Sequence, residues 1–134
     1  MDMTIHSTKP CVQCDATKRS IKKFLRGLGL VDDTIVDTGG EVHNQDGTSI
    51  LKIIIIDGVE AEDALSKAKN RLRTKDKVQA PIVFTDERNW TGFNPGDIKY
   101  FFEDAAKVMA SGRAVTITIY QASSVPAAPS LIAV

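Results

Sequence analysis

The chain has 134 residues, 43% of them hydrophobic and 25% charged, with a formal net charge of zero. That is enough for one domain with a real core and too little for two ordinary ones, and the absence of net charge argues against a uniformly basic nucleic-acid binder. The longest apolar runs, "ILKIIIID" and "AVTITIY", are far shorter than a membrane span, and no basic-plus-apolar leader opens the chain, so the expectation is a cytoplasmic protein with no membrane or nucleic-acid partner.

"MTIHST" alternates like a short strand and stops at Lys9-Pro10. Cys11 and Cys14 then open a helix, with Thr17, Ile21, Phe24, Leu25 and Leu28 three or four apart. Lys18, Arg19, Lys22, Lys23 and Arg26 fill its other side, and Gly27 and Gly29 offer a stop. Residues 30–50 read as an excursion: "TIVD" as a short strand, then turn-rich "TGGEVHNQDGTS" as a hairpin or a mobile loop. "ILKIIII" reads as a strand buried on both faces and therefore central. A second helix carries the stripe Ala61, Ala64, Leu65, Ala68 and Leu72. Pro81 opens the strand "IVFT", "DERNW" turns the chain, and a short strand includes Trp90 and Thr91. A third helix over 95–110 presents Ile98, Phe101, Phe102, Ala105, Val108 and Met109.

This order predicts an α/β sandwich, a central sheet of about four strands flanked by three helices. The division expected is a domain over 1–112, with 30–50 inserted, followed by 113–134 as a possible extra strand ("AVTITIY") and a flexible tail.

The two cysteines are the only ones in the chain. At the start of a helix both thiols fall on nearly one side, within disulfide reach. The first also faces unpaired N–H groups and the positive end of the helix dipole, which favour a thiolate. Residues 1–30 carry six Lys/Arg against two Asp/Glu, residues 31–66 one against nine, and residues 67–79 six against one. Lys9 sits two residues before Cys11, while Val12 and Gln13 bring no charge between the sulfurs. The chemistry expected is exchange: Cys11 attacks a target disulfide and Cys14 resolves the mixed disulfide. Zinc is the rival, but one Cys-x-x-Cys supplies two of the usual four ligands, and His6 and His43 lack finger spacing. A purely structural pair, or a non-enzymatic binding module with or without metal, also stays open. Pro81 has an ordinary reading, since proline tolerates the first position of a strand. Trp90 and Phe93 read as small-core aromatics, or as an aromatic edge offered to a partner.

"CVQCDATKR" at 11–19, "QAP" at 79–81 and "WTGFNPGDI" at 90–98 together resemble the NrdH-type redoxins, small thioredoxin-fold proteins with glutaredoxin-like sequences. The resemblance covers roughly residues 3–29 and 51–109. It implies a thioredoxin-like sandwich and a dithiol–disulfide oxidoreductase with a redox-active Cys11–Cys14 disulfide, no other cofactor and no metal. It implies Cys11 as nucleophile, Cys14 as resolving thiol, and Pro81 as a cis proline opposite them. Lys9, Val12, Gln13, Ala80, Trp90, Thr91, Gly92 and Phe93 become residues that bind or orient the target. The implied partners of a monomeric carrier are thioredoxin reductase, with NADPH, and class Ib ribonucleotide reductase. A glutathione-coupled glutaredoxin is the alternative, for which the basic run 18–26 and Lys75 and Lys77 would hold the glutathione carboxylates. Thr91 replaces the family serine, Asn94 replaces its arginine, and strict spacing puts Gly96 where the family has aspartate.

Overall fold

The computed structural model describes residues 1–29, 32–72 and 78–123. Of the expected tail, residues 121–123 are strand, and the rest lies outside the described residues, as do Lys75 and Lys77. In chain order the elements are β1 (Asp2–Lys9), α1 (Val12–Gly27), α2 (Ile35–Thr38), β2 (Gly40–His43), β3 (Ser49–Asp57), α3 (Gly58–Leu72), β4 (Ile82–Thr85), β5 (Asn89–Thr91), α4 (Pro95–Ala110) and β6 (Val115–Ser123). They form an α/β sandwich, with helices on both faces of one mixed sheet.

The sheet has six strands in the order β2-β3-β6-β1-β4-β5. The strand near the chain's end lies in the middle. β6 runs parallel to β1, from Asp2↔Thr116 to Lys9↔Ser123, and parallel to β3, from Leu51↔Val115 to Asp57↔Gln121. β4 is antiparallel to β1, β5 to β4, and β2 to β3. Two strands add to the four expected: β2 at an edge, and at the centre β6, the possible extra strand of "AVTITIY".

Strand alternation sorts side chains between two unequal layers. Met3 and Ile5 of β1, Leu51 and Ile53 of β3, and Val115, Ile117 and Ile119 of β6 meet Ile21 and Leu25 of α1, Ile35 and Val36 of α2, and Ile98, Phe101, Phe102 and Ala105 of α4 in one cluster. Phe24 and Phe102 stack across α1 and α4, ring centroids 5.4 Å apart. The opposite face is covered by α3, where Ala68 packs on Ile82 and Phe84, with Leu65, Leu72 and Val78 partly buried around them.

Two local expectations change. The run "ILKIIII" forms β3, one strand in from the edge: Leu51 and Ile53 are buried, Lys52 is exposed, and Ile54 and Ile56 are half-buried. "TIVD" is not a strand. Ile35 and Val36 are consecutive and both buried, which alternation forbids in a one-sided strand and a helical turn allows. The rest of the excursion is a hairpin, β2 pairing with β3.

Candidate functional site

The parallel strands β1, β3 and β6 all end at the same end of the sheet, and α1 and α3 begin there. Cys11 leaves β1 in an extended conformation (φ −159°) and caps α1, its Sγ accepting the Cys14 N–H at 3.1 Å. Asp15 N–H donates to the Cys11 carbonyl at 3.1 Å. The Cα atoms of Cys11 and Cys14 are 5.2 Å apart and the two residues form a disulfide. Cys14 is 2% exposed, whereas Cys11 is half-buried. One sulfur is thus reachable and the other shielded. Once reduced, the reachable sulfur sits where a backbone donor and the helix N-terminus favour its charged form.

The three sequence segments converge here. Cys11 Sγ lies 3.7 Å from the Ala80 carbonyl oxygen, and the Ala80–Pro81 peptide is cis, as is Lys9–Pro10. Gly92 N–H donates to the Pro81 carbonyl at 2.8 Å. Gln13 joins all three: its Nε2 donates to Gln79 Oε1 at 2.9 Å, and its Oε1 accepts the Phe93 N–H at 2.8 Å. Gly92 has φ +77°, and a Cβ there would stand 2.7 Å from Gln13 Oε1. Only glycine meets both demands. Gln79 did not emerge as a site residue from sequence, because its partner is 66 positions away and no spacing rule links them.

The aromatics divide. Trp90 is 8% exposed and belongs to the core, its Nε1 without a hydrogen-bond partner among the described residues, while Phe93 is 40% exposed. Val12, 81% exposed, follows Cys11 directly. Thr91 is exposed on β5. Asn94 caps α4, accepting the Asp97 N–H at 3.0 Å and donating from Nδ2 to Asp97 Oδ2 at 2.7 Å, and Arg88 grips Asp97 Oδ1 at 2.7 Å. Asp97, one residue past the strict alignment, therefore carries the turn's carboxylate network.

Two of the five basic residues on α1 are answered by the acidic excursion. Lys22 pairs with Asp37 and Arg26 with Asp33, each at 2.6 Å. Lys18, half-buried, donates to Gln121 Oε1 of β6 at 3.1 Å. Burial first, and then the charge of Lys9, hold its pKa below the usual lysine value, partly offset by Asp37 and Asp15. Among the described residues no three His, Cys, Asp or Glu side chains gather as a metal would require. No described helix is long and apolar enough to cross a membrane.

A disulfide at the head of the first helix, one sulfur reachable and one shielded, has the arrangement of a dithiol–disulfide redox centre. No family model and no curated protein matches the chain. Among solved structures it is similar to the glutaredoxin-like protein NrdH-redoxin from Escherichia coli, described as having a thioredoxin-like activity profile. The identity is 23% over 75% of this chain and 93% of that one, with a TM-score of 0.39.

Proposed function

We propose that the protein reduces protein disulfides as an NrdH-like electron carrier, taking electrons from thioredoxin reductase and NADPH and passing them to class Ib ribonucleotide reductase. The observation that carries the exchange chemistry is the Cys14 N–H at 3.1 Å from Cys11 Sγ, in a pair where Cys14 is buried. The Cys11 thiolate attacks one sulfur of the target disulfide, whose other sulfur leaves as a thiolate and takes up a proton. Cys14 then gives up its proton and attacks Cys11 Sγ, and the second target sulfur leaves. Two electrons have moved, and the Cys11–Cys14 disulfide remains to be reduced.

Lys9, Val12, Gln13, Ala80, Pro81, Trp90, Thr91, Gly92 and Phe93 position the target in this reading, and the carrier acts as a cytoplasmic monomer. The choice of partners is supported by the CVQC, QAP and WTGF segments and by their meeting at Gln13. Coupling to glutathione is less well supported, because Lys22 and Arg26 are engaged by Asp37 and Asp33.

NADPH consumption with a protein disulfide as acceptor tests the proposal. One mixture contains thioredoxin reductase, a second contains glutathione and glutathione reductase, and Cys11→Ser is the blank in both. Turnover in the first alone supports it and makes ribonucleotide reductase the next acceptor. Turnover mainly in the second makes the protein a glutaredoxin, and none above the blank refutes catalytic reduction with either system. Cys14→Ser should trap a mixed disulfide through Cys11, and trapping by Cys11→Ser instead would reverse the roles.

A further inference from the structure

The face under α3 holds a second cluster that thiol exchange does not use. His6 lies on β1, five residues before Cys11, with its side chain turned to the opposite layer from the α1–α4 core. It is 7% exposed, and its Nδ1 has no hydrogen-bond partner among the described residues. Its ring stacks on Tyr120 (centroids 5.0 Å apart) and meets Phe84 edge-on (5.9 Å). Above it is a pocket of about 200 Å³ lined by His6, Ala64, Lys67, Ala68, Arg71 and Phe84. Lys67 and Arg71 are one helical turn apart, so both reach the same mouth. The Arg71 guanidinium rests 4.0 Å from the centroid of Phe84, which fixes its plane and leaves its N–H edges free to donate. None of the described lining residues is acidic, and neither Lys67 nor Arg71 joins an ion pair among the described residues.

We infer that His6, Lys67 and Arg71 line a binding site for a phosphate group. A guanidinium and an ammonium at one mouth supply fork-like and point-charge donors to a tetrahedral anion, and the small Ala64 and Ala68 leave room for it. The imidazole beneath supplies a further polar atom. Burial first, and the Arg71 charge second, hold His6 down to about 4, so it is neutral at pH 7 and meets the anion as a hydrogen-bonding group. An anion beside it would counter the Arg71 field and raise its pKa.

Histidine ring proton NMR of the full chain reads this directly. The chain has two histidines, and His43, beside Glu41 on β2, is the internal control. Sodium phosphate is titrated against sodium chloride of equal ionic strength. The expected result is a saturable, phosphate-dependent shift of the His6 signal, a rise of at least one unit in its titration midpoint, and no matching change at His43. Arg71→Gln and Lys67→Gln, both exposed and safe for folding, should each weaken the apparent affinity at least tenfold. Phenyl phosphate binding more tightly than inorganic phosphate would mark a phosphomonoester site, and equal binding a site for the free ion. A His6 response reproduced by chloride, or one that survives Arg71→Gln, overturns the inference. The NMR readout is independent of thiol exchange, so its failure leaves the redox proposal standing.

Discussion

The two faces of the sheet are built differently. Under α1, α2 and α4 the buried side chains form one aliphatic and aromatic cluster reaching from Met3 to Ile119, whereas under α3 the connected buried cluster shrinks to Ala68, Ile82 and Phe84. The thin face carries the buried histidine, His6, whereas the buried cluster of the thick face is apolar throughout. The redox site belongs to neither. It sits at the end of the sheet, where β1 becomes α1 and the chain meets β4 and β5 edge-on. The core therefore fixes where the helix begins, and the loops set what stands opposite the sulfur.

The largest expected effect tests how much of the thick face β6 supplies. Val115, Ile117 and Ile119 are fully buried on a strand held between β1 and β3. A chain ending at Gly112 would leave both neighbours with open edges and a gap under α4. It should lose cooperative unfolding in denaturant, followed by circular dichroism. Cooperative unfolding with most of the stability retained would show that residues 1–112 are a self-sufficient domain. Point substitutions sharpen the contrast. Ile117→Ala should cost about 4 kcal/mol, and Ile82→Ala about 2–3 kcal/mol, because the partly exposed Leu65, Leu72 and Val78 can settle into the space. Equal losses in urea would mean the two faces are packed alike.

That asymmetry was only partly legible in the sequence. The helical stripes were readable because period and burial coincide: Ile21 and Leu25, then Ile98, Phe101, Phe102 and Ala105, all went inside. The convergence of CVQC, QAP and WTGF was legible through resemblance, since nothing in residue spacing brings positions 13, 79 and 93 together. The rank of the strands was not. "ILKIIII" looks more buried than "AVTITIY", yet β6 is central, with Thr116, Thr118 and Tyr120 facing α3. Threonine satisfies a half-covered strand as well as isoleucine does. Nor did composition reveal that Asp33 and Asp37 fold back onto Arg26 and Lys22 and pair with two of the helix's five bases.

The thin face should also set the acid response. The folded pKa of His6, about 4, lies below its unfolded value of 6.5. Between these values the unfolded chain binds more protons, so stability rises with pH, is complete above 6.5, and is lost as pH falls toward 4. A shift of this size corresponds to about 3 kcal/mol. In phosphate-free buffer, the unfolding free energies obtained from urea titrations at pH 7 and 4.5 should differ by most of that amount. The groups facing the ring are Arg71 and Lys67 from α3 and the uncharged Tyr120 and Phe84. His6→Phe, which keeps a stacking ring, should flatten the difference, and an unchanged slope would assign the acid sensitivity elsewhere.

The smallest effect concerns the end of the sheet, where exposed polar groups set geometry. Gln13→Ala removes the acceptor of the Phe93 N–H and the donor to Gln79, both on the surface, so the stability loss should be only about 1 kcal/mol. Kinetics should separate this clamp from the sulfur chemistry. The Cys14 N–H and the helix N-terminus are untouched, so attack by Cys11 on a small aromatic disulfide should keep its rate within about twofold. A protein disulfide must lie along Ala80 and the Gly92–Phe93 turn, and its reduction should slow about tenfold, equivalent to about 1.4 kcal/mol in the transition state. Gln79→Ala should lower the same rate and add little in the double variant, since both changes break one bridge. Equal slowing toward both substrates would place Gln13 in the thiolate's own support. No slowing toward either would leave the three segments meeting at Gln13 with no part in choosing a target.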